Sequence, residues 1–471
     1  MAIPSNQNLS GQAISQNGKS INHTFSFIVV TCLFFLWGFI TCMNDILIPY
    51  MKKVFVLNYT QGMMIQLCFF GAYFIGSILY FIISSRFGDP INKIGYKNGI
   101  LLGLVISALG TALFYPAAEY ALYGFFLAAL FILGLGFTLL QIAANPYVAI
   151  LGEEKTASSR LNLSQGFNSF GTTIAPLLGG YFIFQYFASH DPKSADSVVV
   201  PYMVFTAAFL LMALVIKFVK LPSFTNKEQF EKKTGALRFP NLSFGIIAIF
   251  MYVGAEVSVG SMLISFLGLP EIAGLTEKDA SVYVAYYWGG LMIGRFLGAF
   301  SLSSMKREIK FFTMIAVPLI AFGVISYFEN VETALIYGIF MLVNFAAFMI
   351  GGSKAARTLF IFSIFCAALL GITMFSSGET AMWCVIGVGL FNSIMWSNIF
   401  TLSIAGLGKY TSQGSSLLVM AIVGGALLPV LMGMSADAIG VHNSFYVPLL
   451  AYIYIAFYGI RGYKQKRLKN E

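Results

Sequence analysis

Long apolar runs recur along almost the whole chain, and each, at about 18 to 28 residues, can carry a helix across a hydrocarbon core of about 30 Å. They lie near residues 25–49, 62–84, 97–115, 121–150, 160–188 and 200–219, then near 241–268, 280–302, 309–327, 332–350, 357–375, 380–407, 413–436 and 443–461. A membrane barrel would instead alternate apolar and polar residues in segments of about ten. The fold class that follows is an all-α membrane protein of about fourteen transmembrane helices. Composition agrees: 58% of the 471 residues are hydrophobic, 10% are charged, and the mean hydropathy of +0.81 is far above that of a soluble chain.

The basic residues orient these helices. With the amino terminus in the cytoplasm, one side of the membrane collects Arg86, Lys93, Lys97, Lys155, Arg160, the lysines between 221 and 240, Lys306, Arg307, Lys310, Lys354, Arg357, Lys409 and the tail from Arg461. The other side holds Lys52, Lys53, Lys193 and Lys278, together with Glu119, Glu329, Glu332 and Glu379. Cytoplasmic loops carry the Lys and Arg excess, so both termini are expected in the cytoplasm, with the protein in the plasma membrane (the inner membrane of a bacterium). Topology also accounts for the net charge of +9 without a nucleic-acid partner.

The expected divisions are a disordered cytoplasmic tail (1–22), a six-helix half (23–220), a basic linker (221–240), a second half (241–462) with an inserted helix pair at about 305–355, and a basic tail (463–471). Gly171 and Pro176 have the spacing of Gly424 and Pro429, and Leu36–Gly38 parallels Tyr252–Gly254. Two related halves joined by a linker are the pattern of a transporter that rocks about a midplane site.

Polar residues inside such runs are expensive unless they face a cavity or a partner. In the fourth and fifth runs these are Gln141, Asn145, Asn162, Gln165 and Asn168. Asn162, Gln165 and Asn168 follow at intervals of three, which puts them on one broad helix face. An amide both donates and accepts, which suits a neutral polyhydroxylated ligand; the competing reading is interhelical hydrogen bonding. Asn392, Trp396 and Asn398 occupy the corresponding region of the second half, where the Trp ring could stack on a sugar or serve as packing. Asp45 lies near the outer end of the first run and either faces the cavity or snorkels to the interface. Glu256, about fifteen residues into its run, is some 22 Å along a helix, too deep to snorkel, and is read as a coupling carboxylate or as a brace between helices. Arg295 is read as a gating or helix-end contact.

Chemistry of other kinds finds no support. His23, His190 and His442 lie at segment ends or in loops, and the cysteines (Cys32, Cys42, Cys68, Cys366 and Cys384) fall in apolar runs at unrelated spacings. No nucleotide-binding glycine loop or metal-ligand pair is present. An enzyme is not expected, nor any cofactor beyond a coupling cation.

The stretches FLWGFITCMNDILIP, QIAANPYVAILG, SSRLNLSQGFNSFGTTIAP, YVGAEVSVGS, YYWGGLMIGRFLG and GLFNSIMWSNIFTLSIAGLG resemble the major facilitator superfamily, and within it the glucose/galactose branch of the fucose:proton symporters. The loop with Gly88, Asn92, Lys93, Gly95 and Lys97 is similar to the superfamily signature between helices two and three, with Asn92 where an Asp is usual. The resemblance implies two pseudo-symmetric six-helix halves, here with two extra helices, and cation-coupled symport of a hexose or hexose derivative by alternating access. It places Asp45 at the coupling carboxylate and Gln165 and Asn168 at the sugar-binding amides. The fucose symporters carry Glu at the position of Gln141 and an amide at that of Glu256, so the coupling ion stays open between H+ and Na+, with Asp45 and Glu256 as possible Na+ ligands. The expected site is Gln141, Asn145, Asn162, Gln165, Asn168, Asn392 and Trp396 for sugar, Asp45 and Glu256 for the cation, and Arg295 and Lys93 for gating. The expected partners are a small-molecule sugar and the lipid bilayer, with the protein a monomer. A drug or metabolite antiporter on the same fold, and a sugar sensor that does not transport, are the alternatives.

Overall fold

A computed structural model describes residues 24–56, 59–180, 198–219, 221–222, 235–275 and 277–465. The amino-terminal tail, most of the linker and the last residues of the basic tail lie outside this set, and so does the side chain of Asp45.

The first half comprises α1 (Thr24–Phe55), α2 (Tyr59–Phe87), the short α3 (Pro90–Ile94), α4 (Tyr96–Ala112), α5 (Phe114–Glu119), α6 (Tyr123–Ile150), α7 (Ala157–Gly180) and α8 (Val199–Phe218). The second begins with α9 (Pro240–Leu267), α10 (Glu277–Ser301), α11 (Arg307–Phe328), α12 (Val331–Gly351) and α13 (Ala355–Phe375). It continues through α14 (Gly378–Asn392), α15 (Met395–Ile404), α16 (Thr411–Met420), α17 (Gly424–Ile439), α18 (Val441–Ser444) and α19 (Tyr446–Phe457). The collinear pairs α4–α5, α14–α15, α16–α17 and α18–α19 each make one crossing. Among the described residues, twelve segments are long and apolar enough to cross a bilayer. α7 and α10 have the length, 24 and 25 residues, but their amides, hydroxyls and arginine lower the hydropathy below that of the others. Adding them gives fourteen crossings.

The halves repeat one another in their closest helix seams. A Cβ on Gly171 of α7 would stand 2.4 Å from the Phe35 carbonyl oxygen of α1, and one on Gly424 of α17 would stand 2.0 Å from that of Phe250 on α9. Only glycine permits either approach, and each seam fixes the helix that carries cavity residues.

The segment expected as an inserted pair forms α11 and α12. α12 docks on the second half through Tyr337, whose hydroxyl donates to the Tyr286 carbonyl at 2.9 Å, and Asn344, whose amide donates to that of Leu390 at 3.1 Å. α11 lies outermost, with Phe312 71%, Ile320 67% and Tyr327 84% exposed; such surface belongs against lipid.

Apart from those of Arg295 at the centre, the hydrogen bonds that join the two halves among the described residues are gathered toward one end, which bears the linker and is here called the linker end. Asn92 donates to the Lys409 carbonyl at 2.9 Å, Tyr96 meets Ser412, Gln413 donates to Ser85, and Ser158 and Thr401 stand 2.6 Å apart. Ser159 donates to the Ala299 carbonyl and Asn162 to Asn398 Oδ1. The gate at this end is closed.

Candidate functional site

Two broken crossings shape the centre of the molecule. Between α14 and α15 the chain leaves the helix at Ser393 and Ile394, and the Ser393 carbonyl accepts a hydrogen bond from Arg295 Nε at 3.1 Å. Between α16 and α17 a 3-10 turn at Ala421–Val423 interrupts the helix. Helix interruptions at membrane depth are tolerated where they line a cavity, and here they bring Trp396 and Ile422 to one.

The cavity has a volume of about 110 Å³ and is lined by Trp37, Gln141, Gln165, Tyr252, Val253, Glu256, Arg295, Trp396 and Ile422. Both halves contribute. Its aromatic walls are supported from behind: Trp37 packs edge-on against Phe137 with centroids 6.2 Å apart, and Trp396 stacks on Phe400 at 6.0 Å. Two buried polar atoms on its wall have no protein partner, Gln141 Oε1, an acceptor, and Trp396 Nε1, a donor, while the Tyr252 hydroxyl lies within reach of Glu256 and Arg295. An unmet buried polar group costs about 1–3 kcal/mol, so this lining is built for a ligand that supplies several hydrogen-bonding groups.

The charged pair lies on one side. Arg295 Nη2 is 3.8 Å from Glu256 Oε1, and the two side chains are 10% and 12% exposed. Arg295 Nη1 donates to Ser169 Oγ and to the Gln165 carbonyl at 3.4 Å, both on α7 of the other half. One guanidinium therefore faces the carboxylate, fills the carbonyl left free by the α14–α15 break, and ties the halves together. Behind Glu256, Tyr287 donates to the Glu256 carbonyl at 3.0 Å and accepts from Asn392, which in turn accepts from Tyr452.

Of the residues singled out for sugar, Gln141, Gln165 and Trp396 meet at the cavity. Asn168 does not: its amide donates to the Phe34 carbonyl at 3.0 Å and clamps α7 to α1. Asn392 is also turned away, spent on the two tyrosines behind Glu256. Asn145 and Asn162 lie one turn closer to the linker end and are fully buried. Glu256 lines the cavity, and the side chain of Asp45, expected at the cation site, lies outside the described residues. Arg295 combines the cavity wall with the link between halves. Lys93 is not part of the gate contact: Nζ donates to the Phe87 carbonyl at 2.5 Å, within its own half, and the neighbouring Asn92 makes the bond across. Among the described residues no group of three or more His, Cys, Asp or Glu is placed to hold a metal ion. The cavity wall also includes Trp37, Tyr252, Val253 and Ile422, of which the first three lie in the parallel stretches Leu36–Gly38 and Tyr252–Gly254.

Comparison with known proteins decides the family. The Major Facilitator Superfamily model matches residues 26–422. The chain belongs to the major facilitator superfamily. Within this superfamily it is 45% identical to the glucose/galactose transporter of Brucella abortus, over 98% of this chain and 99% of that one. It is 31% identical to the L-fucose-proton symporter of Escherichia coli K12, over 93% of each. A crystal structure of the major facilitator transporter FucP in the outward conformation superposes with a TM-score of 0.74 and 30% identity, covering 94% of this chain and 100% of that one. The fold is thus the major facilitator fold, and the protein is a multi-pass membrane protein of a transporter superfamily.

Proposed function

We propose that the chain is a cation-coupled symporter of a neutral hexose, glucose- or galactose-like, working by alternating access. The observation that carries this reading is the polar lining of the cavity: one unmet donor and one unmet acceptor between two indole rings, with the Tyr252 hydroxyl beside the Glu256–Arg295 pair, matched to the hydroxyls and the apolar face of a pyranose. The names of the relatives, a glucose/galactose transporter and an L-fucose-proton symporter, point the same way. The closed linker end corresponds to an outward-facing state, with that end in the cytoplasm and both termini beside it, in a bacterial inner membrane. The unit of function is a monomer with no cofactor beyond its coupling ion.

The ion is a proton in this reading. A Na+ ion on Glu256 would stand about 4–5 Å from the Arg295 guanidinium, a repulsion of about 3–4 kcal/mol at an effective dielectric of about 20, which costs more than a hundredfold in affinity. Asp45 is the second candidate carboxylate. The test is accumulation of labelled glucose or galactose in proteoliposomes under a proton gradient and, separately, a sodium gradient. Accumulation should follow the proton gradient, be blocked by excess unlabelled sugar, and be indifferent to lipophilic cations. Accumulation driven by sodium at constant pH would overturn the ion, and competition by lipophilic cations without any by sugars would replace the whole reading with a drug antiporter.

A further inference from the structure

One helical turn from the cavity, toward the linker end, lies a second polar tier. Asn145 follows Gln141 by four residues on α6, which runs toward that end, and Asn162 precedes Gln165 by three on α7, which runs away from it. Both therefore sit about 5.4 Å beyond the cavity residues on the same helix faces. Asn398 of α15 joins them across the halves, accepting from Asn162 Nδ2 at 3.3 Å. All three are fully buried. Yet Asn145 leaves both its Nδ2 and its Oδ1 without a partner, Asn162 leaves Oδ1, and the adjacent Ser397 leaves Oγ. The tier beyond it is satisfied, with Ser158 against Thr401 and Ser159 against the Ala299 carbonyl.

A gate whose only task is to close would be cheaper in leucine than in unpaired amides. What the amides meet when the gate opens gives them a role. As the halves part at the linker end, the Asn162–Asn398 bond is broken, and the freed groups add to those already unmet. The opened tier then presents donors and acceptors from both halves directly below the cavity, on the path to the linker side.

We propose that Asn145, Asn162 and Asn398 form an exit subsite that binds the hydroxyls of the transported neutral sugar in the inward-facing state. The inference rests on the sugar-transport reading and adds a second site to it. The subsite is used from one face only, because the closed gate hides it from the other.

The test compares gradient-free flux of labelled glucose in right-side-out and inverted membrane vesicles, at equal pH and sodium on both sides. Wild type is set beside Asn145→Ala, Asn162→Ala and Asn145→Ser, with rates normalised to folded protein by size-exclusion chromatography. Each Ala variant should raise KM for sugar presented at the linker face about tenfold, the scale of one lost hydrogen bond in a site. KM at the opposite face should stay within about twofold, and Asn145→Ser, which offers a hydroxyl donor and acceptor in place of the amide, should recover part of the loss. Equal shifts at both faces would mark the amides as structural. An unchanged linker-face KM with an altered maximal rate would assign the tier to water or to gate packing. Either result overturns the subsite. Wild-type vesicles that pass no sugar in either direction would instead sink the parent reading, and the subsite with it.

Discussion

Breaking the Glu256–Arg295 pair should be among the costliest single changes in the protein. At 3.8 Å and an effective dielectric of about 20, the attraction is about 4 kcal/mol. Removing one partner of a buried pair strands the other, at about 3–5 kcal/mol. Glu256→Gln should fall at the low end, about 3 kcal/mol, because Arg295 keeps the Ser393 and Gln165 carbonyls and Ser169 Oγ. Arg295→Gln loses those contacts as well and should reach about 4–5 kcal/mol. The double variant strands no charge, so it should cost less than the two singles together by about 2 kcal/mol. With an unfolding entropy of about 2.1 cal/mol/K per residue, 471 residues give about 1 kcal/mol/K, so Glu256→Gln should lower the thermal midpoint by about 3 °C. The assay is the melting of the purified protein in detergent, followed by tryptophan fluorescence, across all four members of the cycle. Additive costs, or a Glu256→Gln midpoint equal to wild type, would show that the two charges do not support each other.

Trp396→Ala and Gln141→Ala should each weaken sugar binding by about tenfold or more, from a lost stacking surface and a lost acceptor; equilibrium binding at one fixed pH reads this, and unchanged affinity in both would remove the cavity from consideration. Gly171→Val and Gly424→Val should both destabilise the protein, since each side chain would drive into a carbonyl of the facing helix; equal melting of variant and wild type would contradict the seam. Cysteines at Ser158 and Thr401, whose hydroxyl oxygens stand 2.6 Å apart, should cross-link on oxidation and arrest flux until reduced, and full flux through the oxidised pair would mean that the linker end need not open. Asp89 caps α3 with Oδ1, which accepts from Tyr80 at 2.6 Å and from the Ile91 amide. Burial raises its pKa above the usual 3.8, so the folded state holds that proton more tightly than the unfolded one, and stability falls as pH rises from about 4 through the raised value. Asp89→Asn keeps the Oδ1 acceptor and lacks this loss, so its melting advantage over wild type should widen from about pH 4 to pH 7; a narrowing gap would refute the burial argument.

Much of this architecture is legible in the sequence because a bilayer forces it. Continuous apolar length locates most crossings, and even α7 and α10, too polar by mean hydropathy, declare themselves by lying between loops of alternating charge. The same economy exposed Gln141, Gln165, Glu256, Arg295 and Trp396, since each is a polar or amphipathic side chain in an apolar run. Sequence could not say where each amide turns. Asn168, three residues beyond Gln165, is rotated by about 60° on the helix, enough to carry its amide from the cavity to the Phe34 carbonyl. Asn392 ends α14 at a break with no glycine or proline in the Asn392–Ser393–Ile394 stretch; the break depends on Arg295 reaching the Ser393 carbonyl from another helix. Tyr252, Val253 and Ile422 are residue types that every membrane helix contains, so only the repeated Leu36–Gly38 pattern hinted at the first two.

The division of charge between the halves bears on how such a molecule can move at all. Both members of the ion pair belong to the second half, on α9 and α10, and what Arg295 offers the first half is hydrogen bonds to a hydroxyl and a carbonyl. Among the described residues, opening the linker end therefore separates no opposite charges. It gives up neutral-acceptor bonds worth about 1.5–3 kcal/mol each when the donor is charged, and water entering the gate replaces them. An ion pair divided between the halves would have to be broken in every cycle, and a partner left buried would cost about 3–5 kcal/mol. Keeping Glu256 beside Arg295 on one rigid body lets the state of the carboxylate be felt at Ser169 and Gln165 through the guanidinium, while the gate itself stays cheap to open.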